Sequence, residues 1–243
     1  MTTKKPRLHR WSYSLWTAMQ KCPKGVKLGK IDKIPTPLAD TRAMDRGTKI
    51  HHLAEQFLKG NITGMPKDLQ KLSKEYNALK KMGPEHIEEF MSLGRTFRKV
   101  KNGWKDGWFT LKADVMAAPR VFDKSKVMIG LSVDHKTGRH YPSHQEQAEL
   151  SAIVQMQFYP DADFYESEFF YTDQGEVVPY IFKPSYLRKR KEYWMEEGEK
   201  IMAETKFLPT PSSETCKWCP YRSDKLIARD TWGPCSDWKR ARG

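Results

Sequence analysis

From residue 107 the hydrophobic pattern of the chain takes on a period of two. Gly107–Phe122 (GWFTLKADVMAAPRVF) and Ser125–Gly138 (SKVMIGLSVDHKTG) are rich in β-branched and aromatic residues and are parted by the turn-prone Asp123-Lys124. Two such runs in succession predict a pair of strands. His144–Phe158 then has helical spacing, Ala162–Thr172 and Glu176–Phe182 read as a second strand pair turning at Gln174-Gly175, and Ser185–Glu204 as a long amphipathic helix. Strands, helix, strands and helix, without a Gly-rich phosphate loop, predict an α/β (α+β) protein with a mixed central sheet flanked by helices. The same order excludes a dinucleotide-binding fold.

Upstream of the strands the periodicity is helical. Ser12 or Ser14 can cap a helix carrying Leu15, Trp16 and Met19, with Cys22 at its end and Pro23 interrupting it. A polar stretch with Pro35 and Pro37 follows. Asp45–Gly60 places Ile50, Leu53, Ala54, Phe57 and Leu58 on one helical face and stops at Gly60, and residues 66–92 are expected to be helical with a break at Gly83-Pro84. No internal repeat is present. At 243 residues the expected organisation is a single domain with a core over about 40–205.

Charge narrows the partners. Lysine and arginine number 43 against 30 acidic residues, a formal charge of +13, so an extended polyanion is the expected ligand class. No stretch approaches the roughly 18 apolar residues of a membrane span, and the start of the chain lacks a secretory pattern; the expected location is cytoplasmic, with no membrane partner. In a reducing compartment Cys22, Cys216, Cys219 and Cys235 are not expected to form disulfides. Cys216 and Cys219 have metal-ligand spacing, because two intervening residues let a tight turn aim both sulfurs at one ion, although two free thiols have the same spacing.

Along a strand, residues two apart face the same way, so Asp134 and Lys136 project together while His135 points to the opposite face. A hairpin turning between Pro119 and Val127 brings Asp114 towards Asp134. Two carboxylates on adjacent strands beside a lysine outline a hydrolytic site for Mg²⁺ or Mn²⁺, with the lysine orienting water and countering charge on a phosphate. Taken alone, D-x-K also describes surface aspartates and a strand-edge lysine. His51 and Glu55 are four apart on the upstream helix, and a histidine beside the carboxylates would be a third protein ligand; Gln147 and Ser151 are four apart on the helix after the D-x-K strand.

Together these motifs resemble the RecB-like branch of the PD-(D/E)XK nucleases, which includes the iron–sulfur exonucleases of CRISPR adaptation and the nuclease domains of AddB. The resemblance spans nearly the whole chain. SYSLWTAMQKCP is similar to that branch's serine-led helix ending in Cys-Pro, RGTKIHHLAE to its Arg-Gly, His and Glu helix, KADVMAA to the strand of its first aspartate and VDHKTGR to its acidic residue and lysine. QAELS resembles the Gln-x-x-x-Tyr helix at Gln147, with Ser151 in place of tyrosine, and TCKWCPY with Cys235 resembles the C-terminal cysteines, although fifteen residues separate Cys219 from Cys235 where the family has a short gap. Ala113 stands where the family has glycine.

The resemblance implies a restriction-endonuclease-like core and cleavage of DNA phosphodiesters at Asp114, Asp134, Lys136 and Gln147, with a divalent metal on His51, Asp114 and Asp134. It also implies a 4Fe–4S cluster on Cys22, Cys216, Cys219 and Cys235, joining segments 9–31 and 206–243, with zinc as the rival metal. The expected activity is exonucleolytic, in recombination, repair or phage-like DNA metabolism of a bacterial or phage-infected cell. DNA is the expected partner, and any recombination or annealing partner would be a separate chain. A non-catalytic DNA-binding protein with a metal-stabilised tail, and a structural zinc protein without a nucleic-acid role, are the alternatives.

Overall fold

The computed structural model describes residues 7–36, 42–101, 103–122, 126–228 and 231–242. In chain order its elements are α1 (Tyr13–Lys21), α2 (Pro23–Val26), a π-helical turn (Lys27–Ile31), α3 (Arg42–Leu58), a 3-10 turn (Lys67–Leu72), α4 (Ser73–Met82), β1 (His86–Leu93), α5 (Gly103–Asp106), β2 (Phe109–Phe122) and β3 (Val127–Lys136). There follow α6 (His144–Phe158), β4 (Phe164–Tyr171), β5 (Glu176–Phe182), α7 (Pro184–Ala203), α8 (Ser213–Lys217), β6 (Leu226–Ala228), β7 (Thr231–Trp232) and a closing 3-10 turn (Asp237–Arg242). The chain forms two compact units, residues 42–195 and the two chain ends, 1–41 with 196–243.

The first unit is an α/β layer built on one five-stranded sheet in the order β1-β2-β3-β4-β5. Neighbours are antiparallel except β3 and β4, which run parallel and are joined through α6. The parallel pair requires that crossover, because a tight turn can only reverse the chain. Ile50, Ala54 and Phe57 of α3 and Tyr76 and Leu79 of α4 pack against Ile87, Val115, Leu131, Val133 and Phe170 of the sheet. Most of α6 is buried, and it packs against strands β1 to β5, which explains why it lacks a strong polar face. Gly130 makes room for it: a Cβ there would lie 2.9 Å from the Gln155 amide, which itself donates to the carbonyl of Ala117 at 2.9 Å. That carbonyl sits where the β2–β3 register slips, at the stretch containing Pro119, which has no N–H for the ladder.

One expectation is corrected here. Residues 66–92 are not helical to their end: α4 stops at Met82 with Gly83 in the left-handed region (φ 66°), and residues 86–93 form the edge strand β1. Charged residues mask this strand because only Ile87, Met91, Ser92 and Leu93 are buried, so neither a period of two nor one of 3.6 stands out. The turn expected at Asp123-Lys124, and Pro37, lie outside the described residues.

In the second unit, Ser12 caps α1 by accepting the Leu15 N–H, and Cys22 closes the helix, with its own N–H donating to the Ala18 carbonyl at 2.9 Å. The Trp16 indole donates to Glu197 at 2.8 Å and Thr210 Oγ1 to the Lys21 carbonyl at 2.7 Å, tying the two chain ends together. The fifteen residues between Cys219 and Cys235 include the β6–β7 ribbon, which folds back on itself. Cys235 returns beside Tyr221, donating its N–H to that carbonyl at 2.8 Å and accepting the Ser223 N–H at 2.8 Å. Gly233 permits the return, since a Cβ there would overlap the Arg222 carbonyl oxygen.

Candidate active site

Register assembles the site. In β1–β2 the pairs Ile87↔Val115 and Glu89↔Ala113 bracket Glu88 and Asp114, and in β2–β3 the pair Val115↔Val133, carried one residue further, sets Asp114 across from Asp134. Glu88, Asp114 and Asp134 therefore form one row across three strands. The β2–β3 ladder ends at this row, and there Asp114 Oδ2 accepts the backbone N–H of His135 at 2.8 Å. Glu88 holds a left-handed φ of 57°, a conformation that costs a non-glycine residue about 1–3 kcal/mol and is concentrated at functional sites.

Above the row stands His51, placed by the burial of Ile50 and Ala54 on either side of it in α3. Its Nδ1 lies 2.8 Å from Glu88 Oε1 and 3.4 Å from Asp114 Oδ1. Donor atoms of His51, Glu88 and Asp114 all lie within 4.8 Å of one another, the one such trio among the described residues. Glu55, on the same helix, pairs with Lys59 at 2.7 Å. Glu88 is not among the residues expected from the sequence, because the charged stretch 66–92 has the look of a helix; the strand after Gly83-Pro84 is what brings it to Asp114.

The remaining expected residues form a closed triangle next to this trio. Lys136 Nζ lies 2.6 Å from Asp134 Oδ2 and donates to Gln147 Oε1 at 3.1 Å, while Gln147 Nε2 donates to Asp134 Oδ1 at 2.6 Å. Asp134, expected as a metal ligand, is thus engaged by Lys136 and Gln147, and Glu88 occupies the third place around His51 and Asp114. His135 points to the opposite face, as strand alternation requires, and contacts Tyr76 Oη at 3.2 Å. Ser151 lines the cleft between Asp114 and Asp134 together with Ser132, Ser167 and Phe169.

The electrostatics are those of a carboxylate row closely paired with His51, Lys112 and Lys136. Burial, then the nearby charge of Asp134, push the Asp114 carboxyl up to about 6, against the pull of His51. Burial alone would lower His51, but its hydrogen bonds to Asp114 and Glu88 prevail and raise it to about 10. Glu88 is held down to about 2, because His51 and Lys112 outweigh its burial. His51 is thus shared between Glu88 and Asp114, while Lys112 pairs with Glu88 and Lys136 with Asp134. Were His51 to hold a metal through Nδ1, its proton would have to leave, and the apparent Kd for Mn²⁺ is then expected to fall about tenfold per pH unit between pH 7 and pH 9. Titration by the electron paramagnetic resonance of Mn²⁺ measures this; a Kd independent of pH would remove His51 from the ligand set.

The run Arg188–Lys191 has a mainly structural member. Arg190 Nε donates to the buried Glu149 at 2.8 Å, and Tyr186 and Trp194 donate to the same carboxylate, so Arg190 pairs a buried carboxylate whose burial without a partner would cost about 3–5 kcal/mol. Arg188 and Lys189 are exposed.

All four cysteines belong to the second unit. Burial raises the Cys219 thiol, and the neighbouring Cys235, Cys22 and Cys216 add to it. Cys235 and Cys219 share a small apolar cluster with Leu28, Ile34 and Tyr221.

No family model matches the chain, and no curated protein matches it. Among solved structures, the crystal structure of SSO0001 is similar at a TM-score of 0.38 and 12% identity, over 93% of this chain and 90% of that one. A likeness at that level carries nothing about fold or activity. No helix among the described residues is long and apolar enough to cross a membrane.

Proposed function

We propose that the chain is a divalent-metal-dependent DNA nuclease of the PD-(D/E)XK superfamily, RecB-like branch, acting as an exonuclease at DNA ends. The observation that carries this reading is the carboxylate row Glu88–Asp114–Asp134, flanked by His51 on one side and by the Lys136–Gln147 pair on the other. A parallel β3–β4 pair with a helical crossover, set between antiparallel neighbours, supports a restriction-endonuclease-like core. Location in the cytoplasm of a bacterial or phage-infected cell, and a separate recombination or annealing partner, belong to the same reading.

One nitrogen and carboxylate oxygens suit Mg²⁺ or Mn²⁺, and His51, Glu88 and Asp114 would hold the ion, with Asp134 next to them; when bound, it supplies Lewis-acid polarisation of a phosphate oxygen and of water. Lys136 does work of its own. Its ammonium, oriented by Gln147 and Asp134, positions the attacking water and offsets negative charge that builds on the phosphate. Gln147 holds that lysine in register, because its amide spans Lys136 and Asp134 at once.

For the cysteines we propose a 4Fe–4S cluster on Cys22, Cys216, Cys219 and Cys235. Zinc is the rival metal for the same four sulfurs.

End-labelled linear and circular DNA, single- and double-stranded, incubated with Mg²⁺, Mn²⁺ or chelator, tests the activity. Cutting of linear but not circular DNA, only with metal, is expected. In chelator, binding is expected to be independent of sequence and to weaken steeply with salt, since its contacts are to phosphates. Metal-dependent cutting absent on every substrate, with salt-sensitive binding intact, would leave a non-catalytic DNA-binding protein.

A further inference from the structure

Next to Lys136 the structure holds a column of rings that the proposed chemistry does not use. Lys136 Nζ sits 5.2 Å from the centre of the Phe169 ring. Phe169 stacks on His144 at 5.2 Å and an interplanar angle of 21°, and His144 in turn meets His140 at 5.9 Å and Tyr141 at 5.5 Å, both edge to face. Phe169 is buried, His144 half-buried, and Tyr141 is 55% exposed.

The column is braced. His144 Nδ1 meets the buried Tyr171 hydroxyl, and His140 Nε2 lies 3.0 Å from Tyr180 Oη. His144 and Gln147 are three residues apart on α6, so they share a helical face, and the charges of Lys136 and Asp134 both act on the His144 ring. The ledge is therefore continuous with the site. The exposed Tyr141 ring meets His144 edge to face, and the column runs on through Phe169 to Lys136.

We infer that Tyr141 and His140, backed by His144, form a stacking subsite for an unpaired nucleobase adjacent to the phosphate at Lys136. This rests on the nuclease reading of the site and deepens it: the substrate is a strand whose base at that position is out of a duplex, single-stranded or frayed. Stacking is sequence-tolerant because every base has a π-face, so the subsite selects for strandedness rather than sequence.

The test uses single-stranded oligodeoxynucleotides carrying 2-aminopurine at successive positions from one end, and matched oligonucleotides with an abasic site at the same positions. In chelator, the parent protein is expected to quench 2-aminopurine at one position, Tyr141→Phe to retain the quenching and Tyr141→Ala to lose it. With Mn²⁺, Tyr141→Ala is expected to raise KM about tenfold on base-bearing DNA with kcat little changed, and to match the parent on the abasic substrate. Equal parent affinity for base-bearing and abasic DNA, or an equal loss on both in Tyr141→Ala, would overturn the subsite, as would absence of DNA binding. Position-specific quenching without cleavage on any substrate would instead retain the subsite and defeat the nuclease reading.

Discussion

Asp114→Asn is expected to abolish DNA cleavage and saturable Mn²⁺ binding while leaving DNA binding in chelator equal to or tighter than that of the parent. Asp114 stands at the centre of the carboxylate row, is buried, and shares His51 with Glu88. The amide keeps an acceptor for the His135 N–H, so the end of the β2–β3 ladder is preserved. Its carboxyl is raised to about 6, above the ordinary value, so the charged form is disfavoured by the fold. The stability it contributes is full below its unfolded pKa and lost as pH rises through about 6; at pH 8 a neutral amide should give an equal or higher melting temperature. Loss of cutting with a raised or unchanged Tm would separate chemistry from folding. Lys136→Met provides the contrast: metal binding retained and the rate lowered by about 10² to 10⁴, the range for a lost acid–base or electrostatic group. If Lys136→Met cuts as fast as the parent at saturating Mn²⁺, the site assignment fails and a DNA-binding module becomes the better account.

Cys235→Ser is expected to bleach an otherwise brown protein prepared without oxygen and to release the C-terminal segment that carries the β6–β7 ribbon. The apolar cluster around the cysteines has only Leu28, Tyr221 and Cys235 buried, with Ile34 and Cys219 partly so, too little to hold a short ribbon in place. Metal binding in small cysteine sites contributes on the order of 10 kcal/mol to folding, comparable with the whole stability of a small domain. Limited proteolysis should then cleave within residues 206–243, with the sheet unit spared. Colourless parent protein carrying one zinc per chain would replace the cluster with zinc; parent protein free of metal, with Cys235→Ser as protease-resistant as the parent, would remove the metal site altogether.

Much of this molecule can be read from local pattern. The Ser12 cap, the α3 face of Ile50, Ala54 and Phe57, the strands around Asp114 and Asp134, α6 and the β4–β5 turn at Gly175 all follow from spacing and turn chemistry, which act over a few residues. The Asp134–Lys136 side-by-side projection follows from the two-residue period of a strand. Glu88 does not. Its strand is an edge with few buried residues, its backbone is left-handed, and its role exists only because β1 pairs with β2 in a register that sets it opposite Asp114, more than twenty residues along the chain. Nor does local pattern show that Arg190 is bound to Glu149, since that depends on which helix faces are brought together. The return of Cys235 to Tyr221 was likewise hidden behind a ribbon of fifteen residues that leaves and comes back. Periodicity and turn residues determine which segments become helices and strands, because those forces are short-ranged; which distant side chains meet is decided by strand register and packing, where the free energy belongs to the assembled sheet and not to any single segment.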